Sequence, residues 1–407
     1  MQTNLTEAFL GTPAGQEADS ILRSCVHCGF CTATCPTYLL LGDELDGPRG
    51  RIYLMKQVLE GGTATRATQL HLDRCLTCRA CETACPSGVS YGRLLDTGRE
   101  AVERQVRRPL GTRALRALLR SGLTGRLFAP LYRLGQLCRA ILPRHLRVKL
   151  LAPKRRDSWP TRQHARKVLF PRGCVQPAMA PSIDTAAARA LDRLGIEVVR
   201  SAGSAGCCGS IRQHLGDPDG ALGEARRNID AWWPAIESGA EAIVSTASGC
   251  GIMIKDYGHL LRNDSDYASR AARVSALTRD LSEIIAASAA ALAAQLAIRP
   301  GERVAVQAPC TLQHGQRLPG ALEGLLRSLG ATVVPVDEAH LCCGSAGTYS
   351  ILQSDLSLQL RERKLHHLEA NRPDTILSAN IGCIAHLSAG TATRVEHWIE
   401  WLEARLG

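Results

Sequence analysis

The sequence predicts a multidomain α + α/β protein: an all-helical N-terminal domain, a basic helical connector and a C-terminal α/β domain built twice. Three observations carry this expectation. Two identical four-cysteine spacings lie before residue 90, and the apolar residues around them recur with helical period. A run rich in Leu and Arg follows them. Beyond Arg166 the chain repeats itself at an offset of about 135 residues, each copy alternating short β-branched runs with longer helical patterns. The expected boundaries are 1–108, 109–165, 166–298 and 299–407.

In the first region, Ile52, Met55 and Leu59 fall on one helical face between Pro48 and the stop at Gly61-Gly62. A further helix is expected to carry Leu95, Val102 and Val106 and to end before Pro109. The connector holds most of the charge. From Arg104 to Arg172 there are nineteen Lys and Arg against one acid, Asp157, which more than accounts for the net charge of +11. Leucines interleave with the arginines from Leu110 to Leu151, so broken amphipathic helices are expected, punctuated by Pro130, Pro143 and Pro153. Such a stretch suits a solvated connector, a subunit contact or a surface resting on anionic lipid. It lacks a nucleic-acid motif and has few aromatics to stack on bases, which argues against nucleic acid as a partner.

In the C-terminal region "KVLFPRGC" ending at Cys174 matches "RVAVQAPC" ending at Cys310. The doublet Cys207-Cys208-Gly209 matches Cys342-Cys343-Gly344, and "AIVSTASGC" to Cys250 matches "TILSANIGC" to Cys383. The cysteines therefore fall at strand ends and turns, where open α/β sheets place their sites.

Seventeen cysteines in 407 residues point to metal or redox chemistry, because tight clusters make a poor disulfide framework in a reducing compartment. The cytoplasm is the expected location: no apolar run precedes Arg23, and the mostly apolar stretch from Ile284 to Ile298 falls short of the roughly 20 residues that span a bilayer. Cys25 to Pro36 follows C-x2-C-x2-C-x3-C-P, and Cys75 to Pro86 repeats it. Two-residue spacers let three successive thiolates face one iron-sulfur cube, while the proline directs the fourth cysteine away. In two-cluster ferredoxins that fourth cysteine ligates the other cube. The expected sets for two 4Fe-4S clusters are thus Cys25, Cys28, Cys31 with Cys85, and Cys75, Cys78, Cys81 with Cys35. Zinc fits poorly, since zinc sites usually pair two separated C-x2-C knuckles.

The duplicated cysteines leave more readings open. Cys174, Cys207, Cys208 and Cys250, and likewise Cys310, Cys342, Cys343 and Cys383, each supply four ligands from three loops. An additional iron-sulfur cluster, a zinc site, a disulfide switch and packed thiols all remain. His386 stands three residues after Cys383, where the first copy has Met253; it reads as a hydrogen-bonded structural residue, as do His314 and His340, whereas His27, between two ligands, reads as a solvent-facing loop residue. Cys138 reads as an ordinary thiol. No convincing G-x-G-x-x-G, phosphate loop or acid-base arrangement is found, so no substrate-oxidising or other catalytic residue is expected on this chain.

The stretches "CVHCGFCTATCPTY", "LGDELDGPRGRIYL", "NIDAWWPAIESGAEAI", "TASGCG", "CTLQH" and "LCCGSAGTY" resemble the iron-sulfur subunits of the glycolate oxidase (glycolate dehydrogenase) family over nearly the whole chain. The resemblance implies an electron conduit. Glycolate would be oxidised to glyoxylate on a partner flavoprotein carrying FAD, beside a second flavoprotein-like subunit, with electrons leaving for a membrane acceptor such as quinone. Related subunits serve lactate and glycerol 3-phosphate dehydrogenases and heterodisulfide reduction. The relatives that reduce heterodisulfides often end each C-terminal motif in C-x2-C, whereas Met253 and His386 stand here. That departure weighs against a thiol/disulfide oxidoreductase, the rival reading.

Overall fold

The structure, a computed structural model, describes residues 1–143, 147, 150–154, 158–201 and 205–406. Several connector residues, Asp157 among them, lie outside the described residues. The chain forms two compact units: Met1–Ala117 with His340–Lys364, and Leu118–Ala339 with Leu365–Gly407.

The first unit is helical, with helices Pro13–Ser24, Pro36–Leu41, Pro48–Leu59, Arg66–Asp73 and Tyr91–Gln105. Three of them open on proline, whose fixed φ suits the first helical turn and whose missing N–H would have no partner there. Leu22, Met55, Leu59, Leu72, Leu94, Leu95 and Val102 form the dry centre. Gly98 allows the helices Pro48–Leu59 and Tyr91–Gln105 to approach closely, since a Cβ there would lie 2.4 Å from the Met55 sulfur. The helix over Ile52, Met55 and Leu59 ends at Leu59, two residues before Gly61 turns the chain with φ of +94°.

The second unit contains two four-stranded parallel sheets with one topology. Strands β1 (Arg166–Phe170), β2 (Ile196–Arg200), β3 (Ala242–Ser245) and β4 (Thr278–Asp280) lie in the order β2-β1-β3-β4. Strands β5 (Arg303–Gln307), β6 (Thr332–Val334), β7 (Thr375–Ser378) and β8 (Arg394–His397) lie in the order β6-β5-β7-β8. Both faces of the first sheet are covered, which is why β1 is apolar at consecutive positions: Val168 and Phe170 join one core cluster and Leu169 another. In each sheet the chain leaves the first strand on one side and returns on the other. Loops at the carboxyl ends of the central strands therefore open into a crevice.

The connector contains helices Leu110–Thr124 and Phe128–Leu137. The break falls at Gly125 and not at Pro130, which sits in the first turn of the second helix, where a missing N–H leaves no hydrogen bond unmade. Leu127, Leu131, Leu134, Leu137 and Ile141 form an exposed apolar stripe, each more than half accessible. The alanine-rich stretch after Ile284 is divided between helices Leu281–Ala286 and Ala289–Ala293. Among the described residues no helix is long and apolar enough to cross a membrane.

Candidate functional site

The two N-terminal motifs adopt the same backbone path. The second and fourth residues after the leading cysteine have left-handed φ in both: His27 (56°) and Gly29 (86°), Thr77 (54°) and Arg79 (60°). Three of these four are not glycine, and each such residue costs about 1–2 kcal/mol, so the path is held for a reason. The reason is visible at the sulfur. The Thr77 N–H donates to Cys75 Sγ at 3.5 Å, and the His27 N–H makes the matching bond to Cys25. His27, with no special role expected from the sequence, thus contributes through its backbone.

Beyond the loops, the fourth cysteine of each motif turns towards the other. Cys31 has Cys25, Cys85 and Cys28 as its electrostatic neighbours, and Cys81 has Cys78, Cys75 and Cys35. Pro36 opens the helix Pro36–Leu41 immediately after Cys35 and carries the chain away. Burial pushes the Cys31 thiol up to about 11 and the Cys81 thiol well above its ordinary value, and neighbouring sulfurs add to both shifts. Thiols so placed resist ionising until a cation binds; a four-sulfur donor set of this kind suits an iron-sulfur cube.

Around Cys35 and Cys75 lies a charged network that the sequence reading missed. Arg51, 1% exposed, donates to Thr37 Oγ1 (3.1 Å), the His71 carbonyl (2.7 Å) and Asp46 (3.5 Å), and reaches Cys35 Sγ at 4.0 Å. Arg74 donates to the other Asp46 oxygen at 2.7 Å and His71 Nδ1 lies 3.0 Å from Asp46. Asp43, Asp46 and His71 come close enough to suggest a cation site, but Asp46 is already held by two guanidinium groups. The buried Tyr91 hydroxyl donates to Cys75 Sγ at 3.7 Å. The signal was present in "LDGPRGR", yet an arginine in a helix ordinarily reads as a solvated charge.

In the second unit the crevice of the first sheet gathers Cys174, Cys207, Cys208 and Cys250. Cys207 hydrogen-bonds with Cys174 and Cys208, and Cys208 also with Cys250. Hydrogen bonds from the Cys174 and Cys208 thiols, aided by the Gly209 N–H, hold Cys207 below its ordinary value, while Cys174 and Cys208 are pushed well up. Asn228, fully buried on the helix Pro218–Glu237, fixes the doublet loop: it accepts from the Gly206 N–H (3.0 Å) and donates to the Cys207 carbonyl (2.8 Å) and Tyr257 hydroxyl (3.0 Å). The Tyr257 hydroxyl in turn donates to the Cys208 carbonyl at 2.8 Å.

The cysteines of the second copy are distributed differently. Cys342 and Cys343, both buried, belong to the segment His340–Lys364 of the helical unit. There the Gly344 N–H donates to Cys342 Sγ at 3.4 Å, as the Gly209 N–H does to Cys207 Sγ at 3.4 Å. The Tyr349 hydroxyl of the same segment donates to the Arg74 carbonyl at 3.1 Å, and burial, with Cys75 and Cys342 adding to it, holds its pKa well above the usual value. In the sheet unit, Cys310 opens the turn Thr311–Gly315, which carries the buried His314, and buried Cys383 accepts from Asn380 Nδ2 at 3.5 Å. His386 is half-buried on the helix Ile381–Ser388; Met253 at the matching place is an apolar core residue. Cys138 is half-buried in a short turn after the second connector helix.

These features agree with the chain's likenesses. Residues 21–89 match the 4Fe-4S dicluster domain, and residues 168–255 and 304–388 each match the cysteine-rich domain. The glycolate oxidase iron-sulfur subunit of Escherichia coli (strain K12) is 53% identical over 100% of this chain and 99% of that protein. A probable glycolate oxidase iron-sulfur subunit of Bacillus subtilis (strain 168) is 30% identical over 91% of the chain and 89% of that protein. Lactate utilization protein A of Geobacillus thermodenitrificans (strain NG80-2) is 28% identical over 57% of the chain. With two sulfur-rich loops of one geometry, a duplicated cysteine-rich sheet and full-length identity of this order, the chain belongs to the family of glycolate oxidase iron-sulfur subunits.

Proposed function

We propose that this chain is the electron-transfer subunit of a glycolate oxidase, holding one 4Fe-4S cluster on Cys25, Cys28, Cys31 and Cys85 and another on Cys75, Cys78, Cys81 and Cys35. The observation that carries the reading is the pair of sulfur quartets within one compact helical unit. When bound, the clusters supply one-electron redox chemistry, and the protein's part is to hold them near each other, to shield one and to present the other. Cys28 is exposed, and Val26 and Phe30 beside it are 67% and 65% accessible. That apolar rim suits the FAD-bearing partner that oxidises glycolate, with a second flavoprotein-like subunit completing the complex.

Electrons then leave for a membrane acceptor such as quinone, from the cytoplasmic side. The stripe Leu127, Leu131, Leu134, Leu137 and Ile141, flanked by exposed Arg126 and Arg133, supports peripheral contact with the bilayer: apolar side chains enter the interface while cations meet anionic headgroups. Arg116 and Arg120 are poor candidates for lipid contact, because they face Asp73 (3.7 Å) and Asp217 (3.6 Å). The quartet Cys174, Cys207, Cys208 and Cys250 favours an additional metal or cluster site in the first sheet unit.

The deciding experiment is purification with the neighbouring subunits and dye-linked assay with glycolate, lactate and glycerol 3-phosphate. Glycolate should be the preferred substrate of the complex, and the isolated chain should show cluster redox without turnover. Reduction of a disulfide by the isolated chain with an artificial electron donor would instead establish the thiol/disulfide oxidoreductase.

A further inference from the structure

The two sulfur quartets sit in unlike electrostatic surroundings. Near Cys35 and Cys75 are three guanidinium groups: Arg51 at 4.0 Å from Cys35 Sγ, Arg74 on Asp46, and Arg99, which donates to the carbonyls of Leu72 (2.8 Å) and Cys75 (2.9 Å). Asp46 offsets one of them, and the Glu82 carboxylate, which acts on Cys81, offsets another. Tyr91 adds a hydroxyl directed at Cys75 Sγ. Around the other quartet, Arg49 is paired with Glu44 at 2.6 Å, with both side chains about two-fifths exposed, so its charge is cancelled and screened. The Met1 amino group meets the Cys25 carbonyl at 2.9 Å, and its other partner, the Arg23 carbonyl, lies at the solvent edge.

Reduction adds a negative charge, so a fixed cation and a hydrogen bond to a ligating sulfur both raise the potential, while burial lowers it. Burial works against the inner site: its quartet has two buried cysteines, Cys35 and Cys81, whereas the outer one has a single buried member, Cys25, and the exposed Cys28. A buried cation and a hydrogen bond to sulfur must therefore outweigh burial for the inner potential to be the higher one. Resting on the cluster assignment above, we propose that Arg51, assisted by Tyr91, sets the potential of the Cys35, Cys75, Cys78, Cys81 cluster above that of the Cys25, Cys28, Cys31, Cys85 cluster. The consequence is a direction. With both clusters bound, the Arg51 charge would favour residence of an electron on the Cys35 and Cys75 side over the Cys28 side, with no bond made or broken.

The test is a redox titration of the full chain followed by electron paramagnetic resonance, with Cys35→Ser used to assign the inner signal. Two 4Fe-4S signals must appear in the wild type; fewer would defeat the cluster assignment and not the role of Arg51. Given two, Arg51→Gln should lower the inner potential alone, by at least tenfold in the exchange equilibrium, about 59 mV for one electron. Arg51→Lys should restore most of the shift, and Tyr91→Phe should move the same signal downward by less. Equal shifts in both signals, a shift confined to the outer one, or no shift would overturn the proposal. If Arg51→Gln does not assemble the inner cluster, Tyr91→Phe decides, and an unmoved potential in that variant overturns it.

Discussion

His397 closes β8 with no solvent exposure, its Nδ1 accepting the Ile399 N–H (3.2 Å) and its Nε2 facing the Thr246 carbonyl at 2.9 Å. That arrangement suits the neutral ring with its proton on Nε2. Burial holds the pKa down to about 4 from the usual 6.5. The unfolded chain therefore takes up a proton that the folded one refuses, and stability falls as pH drops from about 6.5 to about 4. The full effect is about 3 kcal/mol. Urea midpoints followed by the fluorescence of the buried Trp398 and Trp401 should fall across that range, and His397→Gln should flatten the fall. A second residue-scale prediction concerns Cys35, which lies among the neighbours of Cys81. Cys35→Ser should damage the Cys75, Cys78, Cys81 cluster and spare the one nearer in sequence, as read by its resonance signal; selective loss of the Cys25, Cys28, Cys31 signal refutes crossed ligation. The cysteines were legible in the sequence because their spacing is local. Arg51 was not, since Thr37, Cys35 and His71 come to it from 14, 16 and 20 residues away.

At the scale of elements, the duplication was legible because each strand, doublet and closing cysteine recurs in order, and the two sheets share one strand order. The shared motif conceals a difference in tolerance. Gly209 and Gly344 both have left-handed φ, +96° and +88°. A Cβ at Gly209 would lie 3.1 Å from the Ala221 carbonyl oxygen, whereas one at Gly344 would lie 2.5 Å from that of Ser357. Alanine costs about 1–2 kcal/mol at either place through backbone conformation, and Gly344→Ala adds a clash with a helix. Its thermal midpoint should fall further than that of Gly209→Ala. The connector stripe makes a separate prediction: replacing Leu131, Leu134 and Leu137 together by Ser should reduce binding to vesicles of anionic lipid while leaving both cluster signals intact. Unchanged vesicle binding removes the bilayer reading. The position of the connector's break was not legible from Pro130, because a proline in a first helical turn and a proline after a helix look alike in sequence.

For the whole molecule, metal content separates the readings of the C-terminal cysteines. Two cubes require about eight irons. We expect metal beyond that number in the full chain, lost in Cys174→Ser without change to the two N-terminal signals; identical metal content in both proteins would make the quartet a set of packed thiols. A point substitution is needed because shortening the chain after the connector would also remove His340–Lys364 from the helical unit. No local pattern announced that segment's place. Its membership depends on contacts such as Tyr349 with Arg74, separated by 275 residues.

That contact has a bearing on biogenesis. Ribosomes add about 5–20 residues per second, so the Cys75 loop leaves the exit tunnel on the order of tens of seconds before Tyr349 is made. During that interval the nascent helical unit lacks the segment whose Tyr349 hydroxyl meets the Arg74 carbonyl. The unit is completed only after most of the chain has been made, and iron delivered earlier would meet it before that segment arrives.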